Sequence, residues 1–179
     1  DNVLHETAKR AGVVIAEARA YASRGTYTTA GFRIQKLSPA VAPEGDAVDC
    51  YRMDDAEIAL VAMSTTASTV RTVVDAARAR GEKVGALRVR LFRPFPEQQL
   101  RQALRHCRRI GILDRDISLG LGGILWSEVR GTAPAGSLVQ GYILGLGGGD
   151  IRPRDIERIL ADLAARQQAE DPRILEVAS

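Results

Sequence analysis

Asp114 and Asp116 close an apolar run, Ile110-Gly111-Ile112-Leu113, with Arg115 between them. Two carboxylates so close can share a proton and do acid–base work. Charged residues at the carboxyl end of a strand are also where α/β sheets often place function. Arg115 and the lack of a neighbouring nucleophile favour another use, salt bridges that fix a loop. A glycine loop follows, Gly120-Leu121-Gly122-Gly123. A dinucleotide-binding loop needs glycine at 120, 122 and 125, but position 125 is Leu, and the loop follows a late strand rather than the first. The glycines are better suited to a tight turn and to a helix lying close on the sheet. A second run, Leu146-Gly147-Gly148-Gly149, ends on Asp150. Ser64, Thr65 and Thr66 follow the strongest apolar run, where they can cap a helix or, beside a basic residue, hold an anion. No basic residue is adjacent, so capping is expected. The chain has two histidines, His5 and His106, and neither lies in a loop after a strand, so no Ser-His-Asp set is formed. HExxH and P-loop patterns are absent. Cys50 and Cys107 are far apart without a CxxC partner, which argues against a zinc or iron–sulfur site and for free thiols. No catalytic, cofactor-binding or metal-binding residue emerges.

The elements that must carry these residues alternate. Residues 57–64, 84–92, 109–114 and 138–144 read as strands, several of them apolar on both faces, as in a buried parallel sheet. Helical patterns follow: one to about Arg80, stopped by Gly81, one over 97–107, a short one around Trp126, and one from Pro153. Arg152 stands where a Ser or Thr cap is expected, so the last helix should start poorly capped. Leu87, Val89 and Leu91 should face one way and Arg88, Arg90 and Phe92 the other, toward acids, solvent or a partner. In Arg93-Pro94-Phe95-Pro96, Pro96 pre-sets the next helix and Phe95 is placed to plug an apolar gap. This order gives an α/β fold: an open, mostly parallel sheet with helices on both faces, in three layers.

The domain itself is expected over 46–165. Before it, residues 2–22 read as a helix with an Ala-rich stripe (Leu4, Ala8, Ala11, Ile15, Ala18, Ala22) and 23–47 as an irregular linker, with Tyr27 and Phe32 as anchors. Residues 166–179 read as a tail or an added edge strand. A chain of 179 residues with 45% hydrophobic residues can bury a sizeable core, and with only 4% aromatics aliphatic side chains must fill it. The formal charge of +3, evenly mixed with acids, argues against nucleic acid. No apolar run approaches the roughly 18 residues of a membrane span, and no signal peptide is evident, so a cytoplasmic location is expected.

Three signatures in this order, Arg88-Val89-Arg90-Leu91-Phe92-Arg93-Pro94-Phe95-Pro96, Ile112-Leu113-Asp114-Arg115-Asp116 and Leu144-Gly145-Leu146-Gly147-Gly148-Gly149-Asp150, resemble the C-terminal domain of the alpha chain of 2-oxoacid:ferredoxin oxidoreductases, the pyruvate synthase family. The resemblance covers roughly residues 46–165. It implies a domain like the C-terminal domain of transketolase, in an enzyme that oxidatively decarboxylates a 2-oxoacid to an acyl-CoA and reduces ferredoxin. It further implies that thiamine diphosphate, Mg²⁺, iron–sulfur clusters and coenzyme A are held by other domains and subunits of the complex, and that ferredoxin is an indirect partner. The family commonly has Arg before the last Asp, whereas this chain has Gly149, a departure that argues against a loop-to-partner salt bridge at that spot. The expected interface and loop residues are Arg93, Phe95, Asp114, Arg115, Gly120, Gly122, Gly147, Gly148 and Asp150. Two alternatives stay open: a domain of another thiamine enzyme (transketolase or 2-oxoacid dehydrogenase beta type), or a small nucleotide-binding α/β protein using the Gly120 loop.

Overall fold

The computed structural model describes residues 13–23, 26–37, 47–118 and 120–175, the first two stretches as backbone alone. The chain divides into two compact units, Asp1–Asp46 and Ala47–Ser179. In the first, β1 (Val13–Ser23) pairs antiparallel with β2 (Thr26–Leu37). This corrects the expected helix at 13–22 and the irregular linker at 26–37. The β-branched Val13, Val14 and Ile15, and a following segment rich in Thr, Tyr, Phe and Ile, suit a pleated ladder better than the Ala stripe suits a helix. Residues 2–12, the rest of that helix, lie outside the described residues, as do 38–46 and the side chains of Tyr27 and Phe32.

The second unit runs β3 (Val48–Tyr51), β4 (Ile58–Met63), α1 (Ser64–Ala79), β5 (Val84–Val89), α2 (Glu97–Leu104), β6 (Arg109–Asp114), α3 (Ile124–Val129), β7 (Leu138–Leu144), α4 (Pro153–Ala165) and β8 (Arg173–Leu175). One six-stranded sheet has the order β3-β5-β4-β6-β7-β8. Only β3 is antiparallel to its neighbour. The interior strands are buried on both faces, which is why they read as unbroken apolar runs rather than alternations.

Each face carries its own core. On one side Val70, Val73, Val74 and Ala77 of α1 and Ile156, Ile159, Leu160 and Leu163 of α4 pack on Leu60, Leu113, Tyr142 and Leu144. On the other, Leu100 and Leu104 of α2 and Leu125 and Val129 of α3 pack on Val61, Leu87, Ile110 and Ile112. The result is three layers. From β5 the chain crosses back to lay β6 on the far side of β4, so a topological switch point falls between the carboxyl ends of β4 and β6. Because α3 and α4 lie on opposite faces while β7 and β8 step in the same direction, the β7–α4–β8 connection has the opposite hand to β6–α3–β7.

The Ser64–Thr66 hydroxyls do not cap α1, whose N-cap is Met63 and whose Thr66 Oγ1 is buried without a hydrogen-bond partner among the described residues, and two further expectations are corrected. β5 ends at Val89, not at residue 92, and the chain then turns. Phe92 therefore packs on the Leu87 side with Phe95, their rings edge to face at 5.9 Å. The start of α4 is not left uncapped: the Asp155 carboxylate accepts the Arg152 N–H at 2.9 Å, so the N3 side chain does what no Ser or Thr is present to do. The segment 166–175 is an edge addition rather than a loose tail, apart from 176–179, which lie outside the described residues. Fully buried Gln140 holds it, donating to the Asp171 carbonyl at 3.1 Å and accepting the Glu170 N–H at 2.9 Å. On the same face Asp162 accepts from Arg173 at 2.6 Å, Arg166 at 2.7 Å and the buried Tyr142 hydroxyl at 2.7 Å.

Candidate functional site

The loops at the carboxyl ends of β5, β6 and β7 collect around one short helix, α3. β6 delivers Asp114 to its amino end. The side chain is 3% exposed, and its two oxygens accept the Leu125 N–H at 2.8 Å and the Trp126 N–H at 2.9 Å. Asp116 accepts the Ile124 N–H at 3.0 Å. Two carboxylates thus satisfy the first three amides of α3, groups that no intrahelical acceptor can reach. Gly123 makes this possible: a Cβ there would sit 2.0 Å from Asp114 Oδ2.

Burial raises the Asp114 carboxyl from the ordinary carboxylate value to about 6, aided by the charge of Asp116 and opposed by the two amides. The sign of the linked stability follows. The folded value lies above the unfolded one near 3.8, so the folded state holds more protons between pH 4 and 6, and stability falls as pH rises through that window. Against Asp114→Asn, the wild-type domain is expected to gain on the order of 2 kcal/mol on acidification from pH 7 to 4, a difference that urea unfolding at both pH values measures.

The other sequence-predicted residues lie around this cap. Arg115 reaches across to the Gly149 carbonyl at 3.0 Å and ties the β6 loop to the glycine run after β7. Arg93 leaves β5, covers the Phe92 ring at 4.2 Å and pairs with Glu128 of α3 at 2.6 Å. Phe95 packs into the core below α2 and α3. Gly122 lies where a Cβ would be 2.6 Å from Pro172, so the β6 loop meets the edge segment here. Gly120, Gly147 and Gly148 are exposed, with open space around them. Asp150 pairs at long range, 3.4 Å, with Arg152 on the surface. The structure therefore gathers Arg93, Asp114, Arg115 and Gly122 about α3 and leaves Gly147, Gly148 and Asp150 on a solvent-facing turn. Gln140 escaped the sequence reading, and Gly123 entered it only as part of the glycine loop, not among the expected site residues. Gly123 is one residue beyond a noted pair, and its signal was the small residue directly before an apolar helical start.

This geometry bears on what the site can bind. A phosphate or diphosphate at a helix start needs free amides. Those of Ile124, Leu125 and Trp126 are already bonded to carboxylates, whose charge would repel the anion. The start of α3 therefore does not fit a nucleotide phosphate or a thiamine diphosphate–magnesium pair. Among the described residues no group of three or more His, Cys, Asp or Glu is placed to hold a metal. His106 is exposed beside Arg105, away from the loops. Cys107 is buried, its thiol pushed up to about 11 by desolvation.

An open, mostly parallel α/β sheet with an antiparallel edge strand, and with carboxylates at the end of β6 that cap the following helix, defines the fold class. The comparisons narrow this. Residues 56–156 match the family model described as pyruvate:ferredoxin oxidoreductase core domain II, and the chain belongs to that family. It is 43% identical over 113 residues to pyruvate synthase subunit PorA of Methanothermobacter thermautotrophicus, covering 63% of this chain and 29% of that one. With PorA of Thermotoga maritima the identity is 36% over 140 residues, 72% of this chain and 36% of the relative. With ketoisovalerate oxidoreductase subunit VorA of Pyrococcus furiosus it is 40% over 114 residues, 62% and 29%. The chain thus spans about a third of the length of these relatives. In fold it is similar to 2-oxoglutarate:ferredoxin oxidoreductase from Magnetococcus marinus, with a TM-score of 0.55 and 18% identity over 69% of this chain and 20% of that one.

Proposed function

We propose that this chain supplies a non-catalytic assembly domain of a thiamine-diphosphate-dependent 2-oxoacid:ferredoxin oxidoreductase. The whole enzyme decarboxylates a 2-oxoacid, forms an acyl-CoA and passes electrons to ferredoxin. Thiamine diphosphate, Mg²⁺, iron–sulfur clusters and coenzyme A are held by its other domains and subunits, in the cytoplasm. Identity of 36–43% to pyruvate synthase subunits supports the enzyme class. One structural observation carries the helper role: Asp114 at the end of β6 is 3% exposed and gives both oxygens to the Leu125 and Trp126 amides, while Asp116 accepts the Ile124 amide. A carboxylate so engaged is a poor acid, base or metal ligand. Among the described residues no helix is long and apolar enough to cross a membrane.

The reading is tested by calorimetry and by reconstitution. The chain alone should show no binding of thiamine diphosphate with Mg²⁺ below about 1 mM, an affinity of roughly 4 kcal/mol. Co-expressed with the other subunits of the oxidoreductase, it should co-purify with 2-oxoacid:ferredoxin activity. Tight cofactor binding by the chain alone would end the helper reading, and failure to assemble would end the enzyme assignment.

A further inference from the structure

We infer that the cleft between the β6–α3 loop and β8 is a docking site for a peptide segment of another subunit, one that presents aliphatic side chains and a single carboxylate. The inference rests on the assembly role proposed above and says where the contact is made.

The large apolar side chains exposed among the described residues are Ile117, Leu121, Ile124, Leu146 and Ile174. All belong to the β6–α3 loop, the first position of α3, the turn after β7, or β8. Leu121 and Ile174 are 59% and 58% exposed. Scattered apolar residues on a surface need no explanation, but a cluster at one end does. Ile117, Leu121 and Ile174 line a cleft of about 420 Å³ together with Trp126, Ile143 and Pro172. Gly120, with open space around it, forms part of one wall, so a backbone can approach closely there.

The charge in the cleft selects among occupants. Arg130 lines it, stacks on the Trp126 ring at 4.4 Å and is exposed. Among the described residues no carboxylate pairs with it, and the Trp126 ring holds it at the cleft. A guanidinium over an aromatic ring still has N–H donors to offer a carboxylate. Asp171 lines the same cleft, so an acidic run would be repelled and one acid is accommodated. The cleft wall is built to be firm. Gln140 pins residues 170 and 171 from beneath, and Pro172 is wedged against Gly122 and Gly141.

The test uses the assembled oxidoreductase with a photo-reactive phenylalanine placed singly at position 121 or 174. Both positions should cross-link to one short partner segment containing an Asp or Glu. Leu121→Asp and Arg130→Glu should each weaken assembly at least 10-fold while leaving the melting temperature of the isolated chain unchanged. Exchanging the captured acid for Arg should restore assembly of Arg130→Glu. Cross-links to residues 1–46 of the same chain, to a second copy, or to nothing would overturn the inference. So would a complex indifferent to Leu121→Asp. A wild-type chain that never joins the oxidoreductase would instead sink the assembly role itself.

Discussion

Gly123→Ala is expected to lower the stability of the domain by about 3 to 4 kcal/mol, one of the largest effects of any single methyl group in this fold. The backbone at Gly123 is not the difficulty: its φ of −73° and ψ of 149° suit any residue. The difficulty is the new Cβ, which would stand 2.0 Å from one Asp114 oxygen and 2.2 Å from its carboxyl carbon. Asp114 is walled in at 3% exposure and has nowhere to retreat without releasing the Leu125 and Trp126 amides. Each abandoned buried donor costs about 1–3 kcal/mol. Asp114→Ala abandons the same two donors, so the double variant should be little worse than either single one. A double-mutant cycle by chemical denaturation measures that non-additivity. Strictly additive losses would show that Gly123 and Asp114 act separately.

Gly85→Ala is expected to be nearly as damaging, at about 3 kcal/mol, for a different reason. Gly85 lies inside β5, where a Cβ would meet Met53 Sδ at 2.4 Å, the Arg52 carbonyl at 2.8 Å and Ala56 Cβ at 3.0 Å. The methionine can swing away. The Arg52 carbonyl cannot move freely, because Arg78 donates to it at 2.7 Å while also donating to Val84 O at 2.6 Å. Arg52 itself already has a φ of 52°. The strain should appear as a drop in Tm on the order of 10 °C. Gly81→Ala is the control, since its left-handed φ of 84° carries a conformational penalty but nothing lies within 4 Å of the new methyl. Its loss should stay near 1 kcal/mol.

The parallel strands were legible because burial on both faces writes long apolar runs. β6 and β7 have the bounds read from the sequence, and β4 lies within one residue at each end. β3 was missed: Val48-Asp49-Cys50-Tyr51 is too short to show a period, and it becomes a strand only because β5 offers an edge. The N-terminal segment shows the opposite failure. Its Ala spacing fits a helix, yet the segment pairs with β2, and pairing is not visible in one segment alone. At the site, the residue types were visible and their partners were not. For Asp114 and Asp116 the sequence favours loop-fixing salt bridges over acid–base chemistry; neither reading anticipates that they accept from main-chain amides eight to twelve residues on. Gln140 gave no signal, because a single amide side chain in an apolar run says only that something polar waits nearby.

The placement of β8 also fixes where this unit can be cut. The family match stops at residue 156, and α4 at Ala165, but the folded unit extends further. β7 is mostly apolar and buried, and over Tyr142–Leu144 its outer edge is paired with Arg173–Leu175. Trimming the chain after Ala165 would turn that interior strand into a bare rim, strip Gln140 of its partners and uncover Trp126. Such a rim recruits other chains, so a truncated version would be lost to precipitation rather than to unfolding, and solubility, not activity, would be the first property to disappear.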